Sequence, residues 1–258
     1  MIPAVLFEQA SVRYGARRAL DDATAMFASG AVTGIVGPNG AGKTTLLKAA
    51  SRLVPLGSGT CSVLGRPLGA WPRDALARAV AYLPQGGNAA WPVTGRRLAA
   101  LGRLPHGRAA AADRLAVERA LERADAGAFA ERRLDELSSG ERARVLFARA
   151  LATEAPILLA DEPAAHLDPA HQLRLMELLR EEARRGAAVA VTLHELALAA
   201  RFCDRILLMD EGCIVAQGPP EDALGAGALA EVFGVEAILA PGPGGGPAAV
   251  VPWRRLSA

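Results

Sequence analysis

Residues 37–44 read Gly37, Pro38, Asn39, Gly40, Ala41, Gly42, Lys43 and Thr44, with Thr45 following. Glycine at the first, fourth and sixth places lets the backbone curl until successive N–H groups point inward, which makes a cradle for anionic oxygens. The apolar stretch 32–36 ahead of the run reads as a strand. Leu46 and Leu47 behind it open a helix, whose positive end adds to the same cradle. Lys43 stands where an ammonium reaches the outer phosphates of a nucleotide, and the Thr44 hydroxyl stands where it ligates the accompanying Mg2+. Apart from Lys43 and Lys48, every cationic position in the chain is arginine. A guanidinium does not replace the compact ammonium in such a cradle.

A second group with chemistry follows the run Ile157, Leu158, Leu159, Ala160, which is unbroken and apolar, as in a parallel strand buried on both faces. It ends in Asp161 and Glu162. Acids at the carboxyl edge of an open α/β sheet face the crevice where ligands bind. In that place Asp161 holds a Mg2+ through its water shell, and Glu162 faces the attacking water as general base.

Both groups need a sheet to carry them, and the chain supplies one. Residues 5–12 and 20–27, joined through Tyr14 and Gly15, read as an antiparallel pair ahead of the phosphate loop. Short strands follow at 60–64 and 79–83. From about 94 to 133 the pattern changes to Ala, Leu, Arg and Glu at helical spacing, broken at Pro105 and Gly127, which predicts an inserted helical subdomain. Helix 138–153, strand 156–160, helix 169–185, strand 187–193, a helix to Phe202 and strand 205–209 then alternate as βαβ winding. The segment 241–247 is too rich in glycine and proline for regular structure, and 248–251 adds a last short strand.

The bulk properties exclude several classes of function. At 258 residues the chain suffices for one large α/β domain. A formal net charge of +2, with arginines interleaved with acids, offers no basic field for nucleic acid or anionic lipid. Cys61, Cys203 and Cys213 form no C-x-x-C pair and read as small buried hydrophobes in a reducing compartment. Glu8 and Arg13 are wrong for a signal peptide, so export is not indicated. The most apolar later window, 186–202, is broken by His194, Glu195 and Arg201 and falls short of a membrane span.

Leu137, Ser138, Ser139, Gly140 and Glu141 precede a helical run, and Ser138 with Glu141 has the spacing of a capping box. With the phosphate loop and the acid pair in this order, the chain resembles the ATPase subunits of ABC transporters over nearly its whole length. The resemblance implies an α/β P-loop NTPase core with a mostly parallel sheet, an N-terminal antiparallel β-subdomain and an inserted helical subdomain. The core spans 1–93 and 154–240, the helical and signature subdomain 94–153, and the tail 241–258. Residues 137–141 resemble the family's LSGGQ signature, whose helix N-terminus grips the γ-phosphate held by the partner subunit. Ser139 departs from that pattern in place of a glycine, and slower or weaker ATP sandwiching is the most it implies; Glu141 for Gln is also seen within the family. Gln85, after Tyr82, Leu83 and Pro84, matches the glutamine that touches Mg2+ and its water and reports to the membrane subunit. Tyr14 matches the aromatic that stacks on adenine, His194 the switch histidine at the γ-phosphate, and Asp168 the aspartate across the dimer interface, although Ala164 stands where that loop often has Thr.

Two stretches resemble one branch, the importers of iron-siderophore complexes, haem and cobalamin: Leu101, Gly102, Arg103, Leu104, Pro105, His106 and His166, Leu167, Asp168, Pro169, Ala170, His171, Gln172. The first lies where a membrane subunit's coupling helix would dock. The tail from 234 to 251 resembles the same branch. His106 and His171 are separated by the whole signature region, which argues against a metal site between them. The resemblance implies a head-to-tail homodimer with ATP and Mg2+ at composite sites. It implies polytopic permease subunits, a substrate-binding protein acting indirectly, no nucleic acid, and a place at the cytoplasmic face of the cell membrane. An ABC ATPase for another substrate, an exporter among them, a soluble non-transport ABC ATPase, and a P-loop kinase are the alternatives. The kinase has no reason to carry the signature segment.

Overall fold

The computed structural model describes residues 3–86, 92–107, 110–240 and 249–256. In chain order the elements are β1 (Pro3–Tyr14), β2 (Arg17–Ala28), β3 (Val32–Val36), α1 (Lys43–Ala50), β4 (Ser58–Val63), β5 (Arg66–Pro67), α2 (Arg73–Ala79) and β6 (Val80–Leu83). The middle of the chain holds α3 (Gly95–Ala100), α4 (Ala110–Arg123), α5 (Ser139–Leu151), β7 (Ile157–Ala160), α6 (Pro169–Arg184), β8 (Ala188–Thr192), α7 (Leu196–Phe202) and β9 (Arg205–Asp210). The last elements are β10 (Cys213–Gly218), α8 (Pro220–Ala223), α9 (Ala226–Phe233), β11 (Val235–Ala240) and β12 (Ala249–Arg255).

The main sheet has the order β10-β9-β3-β8-β7-β6, with β10 antiparallel at its edge and the other strands parallel. Every residue of β3, β7 and β8 is buried, because helices cover one face and a second layer covers the other. That second layer is the antiparallel sheet β2-β1-β4-β5. Its inward residues, Phe7 and Phe27 among them, meet α1 and the outer face of the main sheet; the two rings are T-shaped at 6.2 Å. On the opposite face, α3, α4 and α5 bring Leu98, Leu121 and Phe147 into one cluster with α6 and α7.

The helical stretch is interrupted where proline and glycine require it. Leu101–His106, with Pro105 inside, is a 3-10 turn, and a second 3-10 turn begins at Gly127. Within the first, half the motif holds the end of α5. An added Cβ on Gly102 would lie 2.1 Å from the Arg149 carbonyl oxygen. The buried Arg103 guanidinium donates to the Ala152 carbonyl at 2.8 Å and pairs with Asp113 and Glu154. The His106 ring bonds the Thr153 carbonyl oxygen at 2.9 Å. These groups satisfy carbonyls that the helix leaves without partners. Leu101 and Leu104 are left facing outward, Leu104 74 % exposed.

The elements α2, β10, α8, α9 and β11 have no counterpart in the sequence reading; β12 runs longer than 248–251, and 241–247 lies outside the described residues. Among the cysteines, Cys61 and Cys203 are buried, whereas Cys213 is exposed, contrary to the reading of all three as buried hydrophobes. It opens the edge strand β10, along which Cys213, Val215 and Gln217 are exposed in alternation with partly buried residues. Burial pushes the Cys61 thiol up to about 12 and raises Cys203 as well. Brief treatment of the native protein with a maleimide is therefore expected to label Cys213 alone. Cys61 and Cys203 are expected to react only after unfolding, as mass spectrometry of tryptic peptides would read directly.

Candidate functional site

Four strand ends converge at the carboxyl edge of the main sheet. β3 runs into the glycine loop, β7 into Asp161 and Glu162, β8 into Leu193 and His194, and β6 into Gln85. This is the crevice that the topology of an open α/β sheet creates. The loop adopts its curl only because its glycines tolerate positive φ. Gly37 sits at φ 151° and Gly42 at φ 102°, where an added Cβ would lie 2.1 Å from the Met209 carbonyl oxygen and 2.3 Å from that of Ala19.

Lys43 opens α1 and folds back into the loop. Its Nζ donates to the carbonyls of Gly37 at 2.7 Å and Pro38 at 3.0 Å. Burial pulls its pKa below the ordinary lysine value, and Glu162 and then Asp161 oppose that shift. Beside it Thr44 Oγ1 donates to Asp161 Oδ1 at 2.9 Å. The buried Asp161 carboxylate also accepts from Thr192 Oγ1 at 2.9 Å and Tyr82 Oη at 3.0 Å. Glu162 takes φ +46°, rare for a residue with a side chain, with its N–H bonded to Thr192 Oγ1 at 2.7 Å. Its Oε1 meets His194 Nε2 at 2.5 Å and its Oε2 accepts from Gln85 Nε2. So the structure joins Thr44, Gln85, Asp161, Glu162 and His194 through Thr192 in one hydrogen-bonded centre, with Lys43 beside it in the loop.

A cavity of about 230 Å³ lies over this centre, lined by Tyr14, Arg17, Asn39, Gly40, Ala41, Gly42, Lys43, Thr44, Thr45 and Glu162. Tyr14 is half exposed. No residue of 137–141 lines that cavity. Those residues start α5, where Ser138 Oγ accepts from the Glu141 N–H and a Glu141 carboxylate oxygen accepts from the Ser138 N–H at 2.8 Å, a complete capping box. Ser138 and Ser139 are exposed and Leu137 and Gly140 buried. Asp168 caps α6.

Residues 20–165, more than half the chain, match the profile of the ABC transporter family. The chain belongs to that family. The Hemin import ATP-binding protein HmuV of Streptomyces coelicolor is 44 % identical over 94 % of this chain and 88 % of its own length. The Cobalamin import ATP-binding protein BtuD of Halobacterium salinarum is 38 % identical over 93 % of this chain and 61 % of its own length. Among solved structures, a chain of a transporter described as of metal-chelate type, in an inward-facing conformation, superposes with a TM-score of 0.85 at 23 % identity, covering 98 % of both chains. That likeness bears on the fold.

As an ABC ATPase the chain uses ATP, and its donor set suits the divalent cation that accompanies a nucleotide: a hydroxyl and a buried carboxylate oxygen 2.9 Å apart, both hard ligands. Three groups at the site were not singled out from sequence. Arg17 donates to the Gly40 carbonyl at 2.9 Å and lines the cavity, and Thr192 and Tyr82 fix Asp161. Thr192 and Tyr82 precede His194 and Gln85 by two and three residues, but a strand residue carries no sign of which carboxylate it will meet. Among the described residues no cluster of three or more metal-ligating side chains is found, and no helix is long and apolar enough to cross a membrane.

Proposed function

We propose that this ABC ATPase energises a membrane importer for haem or a related chelate, working as a head-to-tail homodimer with one ATP between the phosphate loop of each subunit and the signature helix of the other. The observation that carries the composite site is the position of residues 137–141: a capped helix start with Ser138 and Ser139 exposed, none of whose residues lines the phosphate cavity of its own subunit. A helix N-terminus of that kind serves an anion brought by another molecule. Support for haem, a corrinoid or an iron chelate as cargo comes from the hemin and cobalamin importers among the relatives.

In this reading Tyr14 stacks on the base, and the loop N–H groups with Lys43 hold the phosphates. Thr44 and Asp161 hold Mg2+, which when bound neutralises charge on the phosphate oxygens. Gln85 and His194 aim the Glu162 carboxylate, which orients and deprotonates water, and His194 donates toward the γ-phosphate. Leu101 and Leu104, turned outward beside Arg103, are offered to the permease subunit.

The test is recovery of tagged Glu162→Gln protein from solubilised membranes in the presence of ATP. A polytopic permease is expected to accompany it, and the genes beside that permease would name the cargo. Ribosomes, nucleic acid or a soluble homodimer alone would overturn the transport reading.

A further inference from the structure

His171 lies one turn into α6 and contributes nothing to the phosphate centre, yet both of its sides are committed. Its Nδ1 lies 2.7 Å from Asp168 Oδ2, and its backbone N–H donates to Asp168 Oδ1 at 3.0 Å. An ionised carboxylate only accepts, so the proton of this bond sits on Nδ1. The two bonds hold the Asp168 carboxyl below the usual range, the backbone N–H first and the ring second. The same ring lies flat on Gly140. A Cβ added there would be 2.1 Å from His171 Cδ2, 2.5 Å from Cγ and 2.6 Å from Nε2. The missing side chain of Gly140 is thus the seat of the imidazole. At Ser139, one residue earlier, the side chain is exposed. This explains how the segment tolerates serine at one of its two central positions and requires glycine at the other.

We infer that His171 is a positioning residue, which fixes the start of the signature helix against the loop that carries Asp168 so that the two approach the partner subunit as one piece. The inference rests on the composite-site reading given above. The ring is rigid, is oriented by its hydrogen bond to Asp168, and packs against Gly140 directly, so a shift of α6 is transmitted to Gly140 without slack. Two groups that must meet an ATP held by another molecule gain from a fixed separation, since misplacement by about 1 Å costs up to roughly 100-fold. His171→Ala is therefore expected to act on closure and turnover and to leave nucleotide binding by the single subunit alone.

The experiment uses the full chain. In the Glu162→Gln background, ATP-driven dimerisation is followed by light scattering. In the otherwise unaltered chain, kcat and KM for ATP are measured, together with the Kd of a fluorescent ATP analogue for the monomer. His171→Ala is expected to lower kcat and weaken dimerisation by roughly 10- to 100-fold, with the monomer Kd within twofold of the parent. Gly140→Ala is expected to abolish turnover, and adding His171→Ala to it is expected to restore turnover at least severalfold, because removing the ring frees the space the methyl needs. Unchanged dimerisation and kcat in His171→Ala would overturn the inference. So would a monomer Kd that weakens in step with kcat, or a double variant no better than Gly140→Ala. If the Glu162→Gln parent stays monomeric with ATP, the composite site fails and this inference falls with it. A parent that dimerises while its His171→Ala form dimerises equally well removes the inference about His171 alone.

Discussion

Glu162→Gln is expected to lower ATP turnover by about 10²- to 10⁴-fold, the contribution of a positioned general base, while ATP still binds. Glu162 is held at three points, two of them on its carboxylate. Its backbone N–H is bonded to Thr192 at 2.7 Å in a left-handed conformation, Oε1 meets His194 at 2.5 Å, and Oε2 accepts from Gln85. An amide of the same shape keeps most of that frame and loses the basic oxygen. The variant should therefore accumulate the state that precedes hydrolysis, an ATP-bound dimer stable on gel filtration. Steady-state phosphate release measures the first effect and light scattering the second. Unaltered turnover would remove Glu162 as the base. Loss of turnover together with loss of ATP binding would mark it as a structural residue.

What could be read from the sequence here divides along a physical line. The glycine loop, the buried strand before Asp161 and the capping box at Ser138 are local patterns in which residue type and backbone conformation determine each other. The structure has each of them at the expected place, with helix and strand limits shifted by a residue or two. The edge strand β10 and the small helices near the chain's end lack such signals: β10 mixes Cys213, Val215 and Gln217 outward in no strong alternation, and its state is set by pairing with β9. The contact between Gly140 and His171 is of the same kind. Both residues stand in recognisable motifs, but that one is the seat of the other follows from how α5 and α6 cross. Arg103 makes the converse point. It belongs to a stretch that reads as a docking surface, and the fold spends it on the carbonyl of Ala152, leaving Leu101 and Leu104 for any partner.

Lys43→Ala is expected to abolish nucleotide binding while leaving the chain folded. The ammonium is buried, its pKa lowered chiefly by that burial, and its hydrogen bonds go to the Gly37 and Pro38 carbonyls. A buried cation with neutral partners is poorly compensated. Phosphate oxygens supply in contact the counter-charge that Glu162 and Asp161, each engaged in other hydrogen bonds, supply only from a distance. Contact with the phosphates therefore relieves the buried ammonium as well as holding the ligand. Lys43→Arg is expected to fail nearly as badly, because a planar guanidinium does not fit a cradle closed by Gly37 and Gly42. A ligand present at about 100 times its Kd stabilises a protein by roughly 2.7 kcal/mol, which for a chain of this length raises the melting midpoint by about 5 to 10 °C. The unaltered protein should show that rise with Mg-ATP, and both variants should melt cooperatively at the same temperature with and without it. A normal ATP-induced rise in Lys43→Ala would mean that the loop N–H groups and the helix dipole hold the phosphates unaided, and would leave the buried ammonium without a role in binding.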